Sequence, residues 1–201
     1  PRRPRLSAAD WIEAALAARA IKEIRRHTGR GVIHMNTNGS SSEKLKMLRD
    51  AGLDSARISL SSARENLYQA YCRPVRYCFS DVFESLRTCV RAGVYTSVNY
   101  LVFPGITDEE AEWKSLERLI ASARPQSIQL RNLNIDPQVH LERMRRAGAG
   151  RSRIVGIPEI VRRLRTGFPS VRLGCFNRTR REIDKHLSSV KKPGKNDRES
   201  V

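Results

Sequence analysis

The sequence predicts an α/β fold carrying a curved parallel sheet, and three observations point there. Strand-like and helix-like stretches alternate through the middle of the chain, a pattern that calls for parallel strands joined by helical crossovers. The stretch from Tyr95 to Pro137 reads as one complete unit of that kind: YTSVNYLV, a helix, then IQLRNLN. Four strands also carry polar residues two apart on one face and apolar residues on the other.

The elements follow in order. After an arginine- and proline-rich lead-in, Ser7 can cap a helix whose Ile12, Leu16, Ala20 and Ile24 recur at fourfold spacing, with Gly29 or Gly31 as its stop. A strand at 32–37 runs into the polar turn NTNGS, and Ser40 with Glu43 offers a capping box for the helix of Leu45 and Leu48, closed at Gly52. A second strand spans 56–62. Residues 63–79 are less regular, because Arg73-Pro74 argues against a continuous helix. From Ser80 a helix bearing Val82, Phe83, Leu86 and Val90 runs to Gly93. A third strand covers 95–103, and Pro104-Gly105 ends it. Thr107 with Glu110 reads as a capping box for the helix of Trp113, Leu116, Leu119 and Ile120. A fourth strand covers 127–133. A basic helix at 138–147, a helix opened by Pro158 and a short strand in VRLGCF complete the ordered part. Residues 1–175 thus read as one α/β body, and 176–201 as a basic tail expected to be disordered.

Charge is unevenly placed within the total of +17: +5 over residues 1–30, +1 over 31–138 and +11 over 139–201. Basic ends of this kind give at most non-specific, salt-sensitive attraction to nucleic acid or an acidic partner. Interleaved aromatics, a zinc pattern and a base-reading motif are missing, which argues against a dedicated nucleic-acid module. No apolar run reaches membrane-spanning length, and the first residues do not resemble a secretory signal. Four irregularly spaced cysteines, Cys72, Cys78, Cys89 and Cys175, favour a reducing compartment, so a cytoplasmic location is expected.

The polar strand faces carry His34 and Asn36, Ser59 and Ser61, Ser97 and Asn99, Gln129 and Arg131. Opposite them stand Ile33 and Met35, Ile58 and Leu60, Val98 and Tyr100, Ile128 and Leu130. A doubly wound sheet is apolar on both faces, and a tightly closed barrel is filled by branched apolar side chains. Neither accounts for a ladder of Ser, Asn, Gln and Arg. A sheet with helices outside and a wide, ligand-holding concave face does, because buried polar groups need partners. A lysine-based or metal-based aldolase-like barrel is disfavoured: no lysine lies on these faces, and His34 is their only imidazole.

NTNGS at the end of a strand, GLDSARISLSSA, the FPGITDEE turn after NYLV, and LRNLNIDP together resemble the middle of radical S-adenosylmethionine enzymes. The resemblance covers roughly residues 30–137. It implies a partial (β/α)6 barrel whose concave face holds a [4Fe–4S] cluster and S-adenosylmethionine. It also implies cleavage of that cofactor to a 5′-deoxyadenosyl radical, which takes hydrogen from an unidentified small-molecule or protein substrate. An electron donor such as flavodoxin or ferredoxin would serve the intact enzyme.

By that resemblance Ser59 and Ser61 match positions touching the ribose or methionyl end of the cofactor, and Asn99 a polar position in the same pocket. Asn36 shares their face. The backbone near Val102 and Phe103, and near Asn132 and Leu133, would flank the adenine. Arg131, a cation on the polar face, suits the methionine carboxylate. Tyr100 and Leu101 stand where relatives carry glycine. The family's CxxxCxxC triplet and its Gly-Gly-Glu-like motif are missing from this sequence. The expectation is therefore a chain that begins after the family's second strand, supplies no metal ligand or catalytic residue, and is inactive by itself. The alternative is a non-catalytic basic α/β module that binds nucleic acid or an acidic protein.

Overall fold

The structure, a computed structural model, describes residues 8–132, 136–174 and 178–190. Five strands lie side by side in chain order: β1 (His34–Thr37), β2 (Ser55–Leu60), β3 (Tyr95–Val102), β4 (Ser127–Asn132) and β5 (Arg172–Leu173). Every pairing is parallel. Each crossover steps one strand the same way, and right-handed crossovers then put the outer-layer helices on one side. The sheet is open, and the result is a partial (β/α) barrel.

Helices α1 (Ala8–His27), α2 (Ser42–Ala51), α4 (Phe79–Arg91), α5 (Glu110–Ala123) and α7 (Ile157–Gly167) form the outer layer. Leu45, Leu86, Leu116 and Leu164 from four of them meet Ile58, Leu60, Val98, Tyr100 and Ile128 of the sheet in one core. Two further helices, α3 (Glu65–Cys72) and α6 (Pro137–Arg146), follow the carboxyl ends of β2 and β4. With the turn after β3 they enclose a second, smaller core of Leu67, Ile106, Met144 and Ala149. That core caps the end of the sheet where a cleft opens. Leu133 lies outside the described residues.

Local chemistry explains the boundaries. Ser41 caps α2, accepting from the Lys44 N–H at 3.3 Å, one residue beyond the expected Ser40. Gly52 closes it at φ 115°, a conformation that favours glycine. Gly39 has φ +72°, and a Cβ there would meet Ile58 Cγ2 at 2.9 Å, so the turn after β1 packs directly on β2. Arg73 ends α3 in the left-handed region just before Pro74, the break that the Arg-Pro pair predicts.

Three expectations are corrected. The fourfold stripe of α1 faces outward: Ile12, Leu16 and Ile24 are exposed, while Ala14, Ala18 and Ile21 are buried. A fourfold repeat drifts about 40° per step around a 3.6-residue helix, whereas positions 14, 18 and 21 stay on one face. Small alanines also let α1 approach α2 closely. The Thr107–Glu110 capping box is not formed. Thr107 Oγ1 accepts from the Phe103 N–H at 2.7 Å to make the turn, and Glu109 takes the N-cap position. Glu110 instead pairs with Arg163 of α7, whose guanidinium lies 5.7 Å from the Trp113 ring centre. Finally, the described part of the expected tail forms a helix, α8 (Arg180–Val190). It buries Ile183 and pairs Arg180 with Asp54, which also pairs with Arg25.

The α1 correction has a direct test. Ile21→Ala should cost about 2–5 kcal/mol of unfolding free energy, as for buried aliphatic truncations. Leu16→Ala should stay within about 0.5 kcal/mol. Urea denaturation of the two variants reads the difference, and equal losses would place the packed face elsewhere.

Candidate functional site

Register brings the polar ladder onto one face. Ser59, Asn99 and Gln129 are level across β2, β3 and β4, and Leu101 is level with Arg131. One step toward the amino ends, Asn36, Arg57, Ser97 and Ser127 are level. His34, Ser55 and Tyr95 come next. The face divides into two unlike halves.

The amino half carries a small polar network of its own. His34 contacts the Ser55 hydroxyl at 3.0 Å through Nδ1 and Asn36 Oδ1 at 3.2 Å through Nε2. An imidazole with its proton on Nε2 makes both bonds, donating to Asn36 and accepting from Ser55. Burial pushes its pKa below the ordinary value, with Arg57 adding to the effect. His34 and Gln129 share a small cavity of about 10 Å³ with Arg57 and Arg178. That is room for about one water.

The carboxyl half opens into a cleft of about 300 Å³. Its floor carries Ser59, Ser61, Asn99, Arg131 and Asn132, together with Asn38 from the turn after β1. Five of the seven expected site residues therefore converge there or at its rim. Asn36 and Val102 do not line it: Asn36 is tied to His34, and Val102 alternates to the helix-covered face, where it packs against the core. Asn99 Oδ1 and Gln129 Oε1 are buried with no hydrogen-bond partner among the described residues. Arg131 makes no ion pair among the described residues and is exposed.

The facing wall comes from α3 and the turn behind it: Tyr68, Tyr71, Cys72 and Tyr77. The Tyr68 and Tyr77 hydroxyls lie 3.4 Å apart, and Cys72 Sγ lies 3.4 Å from Ser61 Oγ. Burial raises the pKa of Tyr68 and of the Cys72 thiol. Sequence reasoning passed over this wall by treating residues 63–79 as irregular. The signal was present, since Tyr68, Tyr71 and Cys72 fall three and four apart on one helical face. Behind it, His140 of α6 packs against the Tyr71 and Phe103 rings, with centroids at 5.3 and 4.8 Å. Both its ring nitrogens are buried without partners, and burial lowers its pKa.

A charged network underlies the rim. Glu112, fully buried, accepts from the Ser62 hydroxyl (2.7 Å), the Ala63 N–H (2.5 Å), Arg64 Nε (3.1 Å) and the Tyr100 hydroxyl (2.7 Å). The other end of Arg64 donates to buried Glu109 at 2.6 Å, and Glu109 also accepts the Gly150 N–H.

A helix-backed parallel sheet with a polar cleft outside the carboxyl ends of its strands defines a partial (β/α)-barrel fold. Residues 6–114 match the family model described as the radical SAM superfamily. The match spans more than half of the chain, which belongs to that superfamily. No curated protein matches it. Among solved structures, it is similar to a domain of the pyruvate-formate lyase-activating enzyme from Bacteroides vulgatus, with TM-score 0.57 and 11% identity, covering 85% of this chain and 96% of that one. It is also similar to HydG, a maturase of the [FeFe]-hydrogenase, with TM-score 0.56 and 14% identity, covering 88% of this chain and 41% of that one. Coproporphyrinogen III oxidase (HemN) from Escherichia coli gives TM-score 0.51 and 14% identity, covering 78% of this chain and 37% of that one. The chain thus spans about two fifths of the last two. At these identities the likeness is one of fold.

S-adenosylmethionine and a [4Fe–4S] cluster are the cofactors of the superfamily. The cleft fits the first: it offers an unpaired cation, hydroxyls and an orphaned amide oxygen to a ligand with a carboxylate, an amine and ribose hydroxyls. The described cysteines do not fit the second. Cys72 lines the cleft, Cys78 sits at the N-cap of α4 beside Asp81, and Cys89 is buried in the main core with its pKa pushed up to about 12. Among the described residues no three His, Cys, Asp or Glu side chains are grouped to hold a metal.

Two outcomes are expected. A buried imidazole with a depressed pKa binds its proton less readily folded than unfolded, so its stabilising contribution is complete above pH 6.5 and lost as pH falls below it. Urea titrations at pH 7.5 and 5.5 should show this fall, and His140→Phe should reduce it. Anaerobic reconstitution with iron and sulfide should leave the chain without a stoichiometric cluster. Near-stoichiometric iron that disappears in Cys72→Ser or Cys78→Ser would reverse the reading of those thiols.

Proposed function

We propose that the cleft at the carboxyl ends of the strands is an S-adenosylmethionine site, and that the chain serves a radical SAM enzyme whose cluster is ligated outside the described residues. The observation that carries this reading is the convergence of unpaired Arg131 and the orphaned Asn99 Oδ1 on one cleft with Ser59 and Ser61. Arg131 takes the methionine carboxylate, for which a guanidinium offers two parallel donors. Ser59, Ser61 and Asn99 take the ribose hydroxyls or the methionyl end. Asn132, at the rim, and the backbone beside Val102 flank the adenine. The tyrosine wall covers the ligand and thins the water around it. The cofactor's own contribution is a carbon radical that takes hydrogen from a substrate.

The substrate, small molecule or protein, and a one-electron donor of the flavodoxin or ferredoxin kind belong to the whole enzyme. No helix among the described residues is long and apolar enough to cross a membrane, and a cytoplasmic setting suits the free thiols. Residues 1–175 form the barrel part in this reading, with the basic remainder as an appendage.

Titration calorimetry with S-adenosylmethionine tests the assignment. Arg131→Ala should weaken binding roughly tenfold to a hundredfold, since a charge-assisted bond contributes about 1.5–3 kcal/mol. Binding by the native chain that is unchanged in Arg131→Ala removes the carboxylate role, and no binding by the native chain removes the site.

A further inference from the structure

We propose that Glu112 is a positioning residue for the cleft, acting with Arg64 and Tyr100 to hold the β2–α3 connection in the form that presents Ser61. The proposal rests on the reading of the cleft as the cofactor site and adds residues that never touch the ligand.

The bonding pattern points to this role. An ionised carboxylate accepts about four hydrogen bonds, and Glu112 accepts four. Three of the donors are the consecutive residues Ser62, Ala63 and Arg64, which directly follow Ser61. The fourth is Tyr100, level with Leu60 on the neighbouring strand. The connection is therefore tied to β3 through a group on the helix-covered side of the sheet. Arg64 carries the tie onward through Glu109 to the Gly150 N–H, and the Ser152 hydroxyl accepts the Ala111 N–H at 3.0 Å. The connections after β2, β3 and α6 are thus pinned to one another.

Stability alone is a poor reason for such a centre. Two fully buried carboxylates share one guanidinium, and apolar packing of similar volume is usually as stable or more so. A lysine could not replace Arg64, because its single ammonium cannot span both carboxylates as the guanidinium fork does. What the centre fixes is geometry. Ser61 Oγ reaches the cleft two residues before an amide clamped at 2.5 Å.

The test uses the full 201-residue chain, with Tyr100→Phe and Ser62→Ala, each removing one donor, as milder companions to Glu112→Gln. Hydrogen exchange should show the Ala63 amide protected in the native chain. It should lose about tenfold or more of that protection in both mild variants, while Ile58 and Val98 in the strands keep theirs. Affinity for S-adenosylhomocysteine, read by calorimetry, should fall threefold to tenfold in Tyr100→Phe. In a Ser61→Ala background the same change should have no further effect, which a purely structural role would not produce. Unchanged Ala63 exchange, unchanged affinity, or additive losses in the double variant would each overturn the proposal. A native chain that binds no S-adenosylhomocysteine would refute the reading of the cleft itself and the positioning role with it, and that failure is visible before any variant is made.

Discussion

The structure depends on a carboxylate that has no water to turn to. Glu112 stands fully buried at the start of α5, and every lone pair it has is used by the strand and the connection beside it. Removing a partner from such a centre leaves charge or dipole stranded in the interior, which is far more costly than losing an exposed pair. The β2–α3 connection, the turn after β3 and the loop after α6 therefore cannot shift one at a time. That constraint makes the cleft rim a fixed structure although it is built from loops.

A second constraint is the division of the sheet's open face. Near the amino ends His34 bonds to Ser55 and Asn36, and the cavity beside His34 has room for about one water. Near the carboxyl ends the same ladder of residue types is left open, with Asn99 Oδ1 unpartnered and Arg131 unpaired among the described residues. The two ends do not differ in composition. They differ in what closes them: Gly174 and Arg178 line the small cavity at one end, and α3 with its tyrosines walls a wider cleft at the other. Ligand sites at the carboxyl ends of parallel strands follow from this geometry, because the connections there are free to vary without disturbing the packed layer.

Much of this was legible in the sequence, and what was legible had a period. Alternation of two fixes the faces of β2, β3 and β4, so the sequence alone assigns Ser59, Asn99 and Arg131 to one side. The strand–helix alternation fixed the parallel order. What failed were choices between competing local options. Alpha1 carries two apolar stripes, and only the presence of α2 decides that Ala14, Ala18 and Ile21 face inward. Thr107 can cap a helix or close a turn, and it closes the turn, bonding both the Phe103 N–H and the Phe103 carbonyl. Tyr71 and Cys72 face the cleft because α3 lies across the strand ends, a tertiary fact that no local pattern encodes. Cys72 lies 3.4 Å from Ser61 for that reason.

The cysteines show how family and chemistry can diverge within one chain. Membership of the radical SAM superfamily rests on residues 6–114, a span that includes Cys72, Cys78 and Cys89 and both faces of β2 and β3. Yet those three thiols serve three different local purposes: a contact with Ser61, a helix cap and a core methylene substitute. Convergence is what makes sulfur a ligand set, and these sulfurs do not converge. The polar side chains do. A superfamily whose chemistry needs both a cofactor pocket and a metal can separate the two in its scaffold, because the pocket is made by strand register whereas the metal needs only a loop of close thiolates. In this chain the polar cleft is what register builds.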